Sequence, residues 1–296
     1  MDFFTAENYH QLVDNPILYA FPDTALIHLP GVSVEVACYS TSKKSISKDI
    51  AEYIRPLLIN QAKYLNNKLP VDRYTFLIYH SLAPNSNHVI GDGLEHSNST
   101  LILLYMPLDI ATIRQNIYGI ASHEFFHTLM PLGLHSHEIE HYDYNEPKFS
   151  KHLWLYEGMT EYFTMHMPVK TGLHTEKEFL RAVEEKIAVM KQFNPDLAIT
   201  DLSLNPMEIQ EEYYNVYLKG ALINLCLDIK LQELSGGKYG TKDLVLQLTE
   251  RYGKGKSFED NQLFPEIVEI TGFRELEPFI KDYIEGTKPL PLKELL

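Results

Sequence analysis

Two histidines four residues apart, in His123-Glu124-Phe125-Phe126-His127, constrain this chain more than any other feature. Residues i and i+4 differ by about 40° around a helix, so both imidazoles meet on one side only if the segment is helical. Neutral imidazole nitrogens bind zinc at about 2.0–2.1 Å, and zinc prefers four ligands. Glu124, one residue on, is placed to reach a metal-bound water rather than the metal. The H-E-x-x-H pattern therefore predicts a Zn²⁺ centre with His123 and His127 as ligands and Glu124 as catalytic base. Asp109 can cap the helix, and Ile110, Ile113, Ile117 and Ile120 share one face of it. The helix is thus predicted from Asp109 through the motif, ending near Pro131.

A catalytic zinc keeps one position open and takes a third protein ligand. Glu157, 30 positions after His127, lies in Leu153-Trp154-Leu155-Tyr156-Glu157-Gly158-Met159-Thr160-Glu161-Tyr162. That stretch reads as a helix behind a long loop, Leu132 to Lys151. Glu161 lies one turn further on the same face. Glutamates at this spacing also occur on solvated helices. Here Trp154, Leu155, Tyr162 and Phe163 flank them and argue for burial, where a carboxylate needs a partner. Glu157 is the candidate third ligand. Glu161 is the candidate acceptor for the second N–H of His123 or His127.

The remaining elements alternate before they become helical. Ile17–Phe21, Val32–Tyr39, Tyr74–Tyr79 and Leu101–Met106 read as strands. Ser45 to Leu65 reads as an amphipathic helix that Pro56 kinks. Helices are also predicted over Glu176–Gln192 and Pro206–Leu234, the latter ending at Ser235-Gly236-Gly237. The expected fold is α+β, a sheet lobe over 1–107 followed by an active-site helix and helical lobe over 108–296.

With 296 residues, the chain is long enough for a sizeable core. Its formal charge of −14 argues against nucleic acid as a partner. Cys38 and Cys226 form no CxxC motif and no disulfide framework. No run reaches the ~18 apolar residues of a membrane span, and no signal peptide is visible. Compartment and oligomeric state stay open.

The segments HEFFH and DYNEPKFSKHLWLYEGMTEYF together resemble the glycyl aminopeptidase family of gluzincin zinc metallopeptidases. Three further segments fit it in order: Leu12-Val13-Asp14-Asn15-Pro16, Gly91-Asp92-Gly93-Leu94-Glu95-His96-Ser97-Asn98-Ser99-Thr100, and Tyr217-Leu218-Lys219-Gly220-Ala221-Leu222. The resemblance implies a thermolysin-like catalytic domain, with Glu157 as third zinc ligand. Family members also carry an N-terminal β-domain and a C-terminal PDZ domain. Neither is recognisable here, so an excised or minimal catalytic domain is expected. Two departures, Thr128 to His135 after the motif and Asp92 for the usual glycine, bear on specificity rather than zinc chemistry.

Further roles follow from the resemblance. Gly93 lets substrate backbone approach and Glu95 binds the free α-amine of a peptide. Tyr217 hydrogen-bonds the tetrahedral oxyanion, a role for which a phenol is chemically suited. The expected activity is removal of N-terminal residues from peptides, with a preference for Gly or Ala. Two rivals remain: an endopeptidase in which Glu95 is only a turn residue, and a non-catalytic peptide-binding module.

Overall fold

The computed structural model describes residues 2–82, 89–253 and 255–295. The chain divides into two compact units, Met1–Thr128 and Leu129–Leu296.

The first unit opens with a short helix, α1 (Tyr9–Val13), followed by β1 (Asp23–Leu29) and β2 (Val32–Ser40). Then come α2 (Ser47–Tyr64), β3 (Arg73–Ser81), β4 (Ile90–His96), β5 (Ser99–Tyr105) and α3 (Ile110–Phe126). Five strands form one mixed sheet in the order β1-β2-β3-β5-β4. The outer pairs β1/β2 and β4/β5 are antiparallel, and β2/β3 and β3/β5 are parallel. Alternation sets the core: Val34, Val36, Tyr74, Phe76, Ile78, Ile102 and Leu104 are buried. Ile50, Ile54 and Leu57 of α2 and Ile113, Ile117 and Phe125 of α3 are buried with them. The cap at Asp109 forms as expected, its carboxylate accepting from the Ala111 and Thr112 amides. Asp14 accepts from the Ser97 amide at 3.0 Å and faces His96 Nδ1 at 3.6 Å. It ties the N-terminal segment to the turn between β4 and β5.

One strand expectation fails in this unit. Ile17–Phe21 is not a strand; β1 lies at Asp23–Leu29 instead. Ile17, Tyr19 and Phe21 are exposed, whereas Ile27 and Leu29 are buried and face β2 across the Gly31 turn. Aromatic and branched residues favour a strand only where a ladder partner exists. Gly93–Glu95, the segment singled out for substrate backbone and the α-amine, lies within β4, an edge strand of the sheet. The active-site helix groups with the sheet, whereas the sequence reading sets it with the helical lobe. It does so because α3 packs on α2, β4 and β5.

The second unit is helical: α4 (His137–Glu140), α5 (Leu153–Lys170), α6 (Glu176–Met190), α7 (Ile199–Leu204), α8 (Asn215–Ser235), α9 (Thr241–Tyr252), α10 (Leu263–Thr271), α11 (Leu276–Phe279) and α12 (Leu292–Leu295). Its spine is α5 against α8. A Cβ on Gly158 would come within 2.5 Å of the Gly220 backbone. Only glycine lets two helix backbones approach this closely. The N-terminus of α5 is pinned by Asp260, which accepts from the Ser150 hydroxyl and the Lys151 amide. Gly236, in the left-handed conformation, ends α8 as expected.

Helix α8 starts at Asn215, nine residues after the predicted Pro206. Met207, Gln210, Glu211 and Tyr214 are exposed, so the intervening stretch has little apolar face to bury and forms turns instead. Among the described residues, no helix is long and apolar enough to cross a membrane.

Candidate active site

Helix α3 ends on the motif. His127 is its C-cap but keeps right-handed helical angles (φ −61°, ψ −18°), and its amide bonds back to the His123 carbonyl at 3.3 Å. The i, i+4 geometry therefore survives to the last residue. The two imidazole centroids lie 4.7 Å apart. One ligand atom from each of His123, Glu124 and His127 lies within 4.8 Å of the others. Glu124 and His127 are buried and His123 is half-buried.

Three side chains add donors to the carbonyls of this last turn, beside the His127 and Thr128 amides that already bond to the Glu124 and Phe125 carbonyls. Gln61 Nε2 of α2 donates to the Ser122 carbonyl at 2.8 Å, and the Tyr74 hydroxyl of β3 donates to the Glu124 carbonyl at 3.2 Å. The Thr128 hydroxyl donates to the Phe125 carbonyl at 2.7 Å. Burial first, then the charges of Glu124 and Glu95, hold the Tyr74 hydroxyl well above the usual phenol range, so it remains a donor.

The Glu124 carboxylate is fixed separately. The Thr100 hydroxyl of β5, fully buried, has one proton and two acceptors in reach, the Leu94 carbonyl at 3.0 Å and Glu124 Oε2 at 3.2 Å. In the β4/β5 ladder Thr100 stands opposite Glu95 and Ile102 opposite Gly93, so all four residues share one sheet face. This is the face over which Glu124 lies. A Cβ on Gly93 would fall 2.4 Å from Glu124 Oε1, and one on Gly91 would fall 2.8 Å from Ile120 Cδ1. Glycine in this edge strand therefore makes room for the catalytic helix. The first unit brings together Gly93, Glu95, His123, Glu124 and His127.

In the second unit Glu157 is 8% exposed, midway along the first half of α5. Gly158, which follows it, is the residue at which α5 meets α8. Tyr217 lies one turn before Gly220 on α8, half-buried, with its hydroxyl 3.4 Å from that of Tyr213. Glu161 Oε1 accepts from Lys186 Nζ of α6 at 2.6 Å. Lys219 is structural, as its place in an apolar helix implies: its buried Nζ donates to the Leu197 carbonyl at 2.9 Å, and burial lowers its pKa.

Sequence reasoning missed Thr100, Tyr74, Gln61 and Thr128. Thr100 stands in the Gly91–Thr100 segment already singled out, and a threonine in an otherwise apolar strand was the available signal. The other three contribute through contacts between distant segments, which no local pattern reveals.

The fold is that of zinc metallopeptidases. An aminopeptidase N family protein from Idiomarina loihiensis superposes with a TM-score of 0.81 at 23% identity, over 98% of this chain and 51% of that one. The M1 zinc metallopeptidase of Deinococcus radiodurans gives 0.56 at 14% identity, over 90% and 53%. Legionella pneumophila aminopeptidase A gives 0.55 at 15%, over 90% and 28%. This chain thus spans about half the length of the first two. Residues 116–223 match the sequence profile of the M61 glycyl aminopeptidase family, which bears out the resemblance. No curated protein matches. The family match and the aminopeptidase neighbours support a metallopeptidase hydrolase.

Proposed function

We propose that the chain is a zinc-dependent aminopeptidase that removes small N-terminal residues, Gly or Ala, from peptides. The observation that carries the reading is the clamped Glu124. It is a buried carboxylate held by Thr100 within 4.8 Å of two imidazoles and facing a glycine on an edge strand. Two histidines and a carboxylate are the donor set zinc takes. His123, His127 and Glu157 would hold it, and Glu161, alongside its pair with Lys186, would accept the second N–H of a ligand histidine.

Zinc bound there supplies Lewis-acid polarisation of the scissile carbonyl and a more acidic water. Glu124 takes the proton of the attacking water and delivers it to the leaving amine. The Thr100 hydroxyl, shared with the Leu94 carbonyl, orients that carboxylate for the transfer. Tyr217 donates to the developing oxyanion. On β4, Gly93 admits substrate backbone and Glu95 pairs with the peptide ammonium, which selects free N-termini.

The test is kcat/KM for Ala-p-nitroanilide against its N-acetylated form, with zinc content, in wild type and Glu95→Gln. Preference for the free amine that collapses in the variant supports the reading. A free-to-blocked ratio unchanged by the substitution removes Glu95 and favours an endopeptidase. Zinc without hydrolysis of any peptide would leave a binding module.

A further inference from the structure

The chain spells the H-E-x-x-H pattern twice. Ten residues after the first, His137-Glu138-Ile139-Glu140-His141 repeats it. This segment is α4 with its C-cap, a single helical turn in the second unit. The His141 amide bonds back to the His137 carbonyl at 3.0 Å, so the two residues stand one turn apart. Their ring centroids are 4.3 Å apart, against 4.7 Å for His123 and His127. Both side chains are exposed, so their rings can turn about χ2 to present one nitrogen each to a common point.

The turn is not a loose surface loop. His137 N donates to the Phe258 carbonyl at 2.8 Å, and Phe258 N donates to the His135 carbonyl at 3.1 Å. Ser136 N donates to the buried Tyr156 hydroxyl at 3.0 Å. His135, whose Nδ1 lies 2.7 Å from the Pro131 carbonyl, pairs through Nε2 with Glu140. The backbone that carries the two exposed imidazoles is therefore held at both flanks, which lowers the entropy lost when an ion is bound.

Its surroundings favour a cation. Glu138, Glu140, Asp143 and Glu146 lie within the segment 135–147, which contains no lysine or arginine. Glu138 occupies the place Glu124 has in the first motif, and its Oε2 is buried without a hydrogen-bond partner.

We propose that His137 and His141 form a second, peripheral site for a transition-metal ion. Two imidazole nitrogens suit Zn²⁺, Ni²⁺ and Cu²⁺, with Cu²⁺ tightest, and do not suit Mg²⁺ or Ca²⁺. Metal–nitrogen distances of about 2.0–2.1 Å place two ligand nitrogens roughly 3.3 Å apart, within reach of rings this close. Water completes the coordination. The site stands independently of the proposed peptidase centre.

The experiment counts bound Zn²⁺ by titrating the metal-free full chain in wild type, the double variant H137Q/H141Q, and H141Q alone. Wild type should bind one more equivalent than either variant. If the first motif also binds zinc the counts are two and one; if it does not, they are one and none. Failure of the peptidase reading is thus distinguishable from failure of this one. H141Q alters the C-cap residue rather than the helix, and circular dichroism checks that it folds. Cu²⁺ added to the wild-type chain should also give a d–d band that H141Q weakens at least several-fold. Equal zinc counts in wild type and H141Q, or an unchanged copper band, would overturn the site.

Discussion

The two H-E-x-x-H segments differ in almost everything but their letters. His123 and His127 close a helix of 17 residues whose last turn receives added side-chain donors from Gln61, Tyr74 and Thr128. His137 opens and His141 caps a helix of four residues, and both side chains are exposed. In the first, the intervening glutamate is buried and held by Thr100; in the second, the corresponding Glu138 has a buried oxygen without a donor. Spacing alone brings imidazoles together in both. Chemistry requires more: a carboxylate oriented by a neighbour and shielded from water, which only the first segment has.

The largest effect expected from this contrast is at Glu124. Glu124→Gln should retain zinc and lose about 10²–10⁴-fold in kcat, the usual worth of a general base, while Glu138→Gln leaves kcat unchanged. Paired kinetics and metal analysis read both. Equal losses in the two variants would erase the distinction between the segments.

Buried and exposed histidines should also part company in acid. His152 at the start of α5 is fully buried, and burial lowers its pKa from 6.5 to about 4. The unfolded chain then takes up this proton near pH 6.5, and the native chain only near 4. Stability contributed by neutral His152 is complete above about pH 6.5 and is lost as pH falls toward 4. Wild type should lose a few kcal/mol over that window, and His152→Gln, compared by denaturant unfolding at pH 7 and 4.5, should lose less. Parallel losses would remove His152 as a source of acid sensitivity.

A smaller effect is expected at Thr100. Thr100→Val keeps shape and removes the hydroxyl that Glu124 shares with the Leu94 carbonyl. A hydrogen bond to a charged group is worth about 1.5–3 kcal/mol, so kcat should fall about 10- to 100-fold. An unchanged kcat would make Thr100 merely structural.

The smallest effect belongs to the exposed pair. His137→Gln should change unfolding free energy by less than about 0.5 kcal/mol, as surface substitutions usually do. A loss of several kcal/mol would mean that α4 is held by the imidazole itself rather than by its ties to Phe258 and Tyr156.

Local pattern by itself determined the helix through His123 and His127, its cap at Asp109, the glutamate between the histidines, and the left-handed end of α8 at Gly236. These depend on 3.6-residue periodicity, a side-chain cap and a left-handed glycine, all encoded within a few residues. Tertiary structure decided what those residues meet. Ile17–Phe21 reads as strand as well as Asp23–Leu29 does, yet only the latter has a partner across the Gly31 turn. In sequence Gly93 offers only room for substrate backbone; the β4/β5 ladder sets it under Glu124, and the same ladder faces Thr100 toward that carboxylate. Burial and cross-strand pairing act between segments distant in sequence, so no periodicity records them. For the same reason the motif at His137 looks like the one at His123 on paper and sits on the surface in the fold.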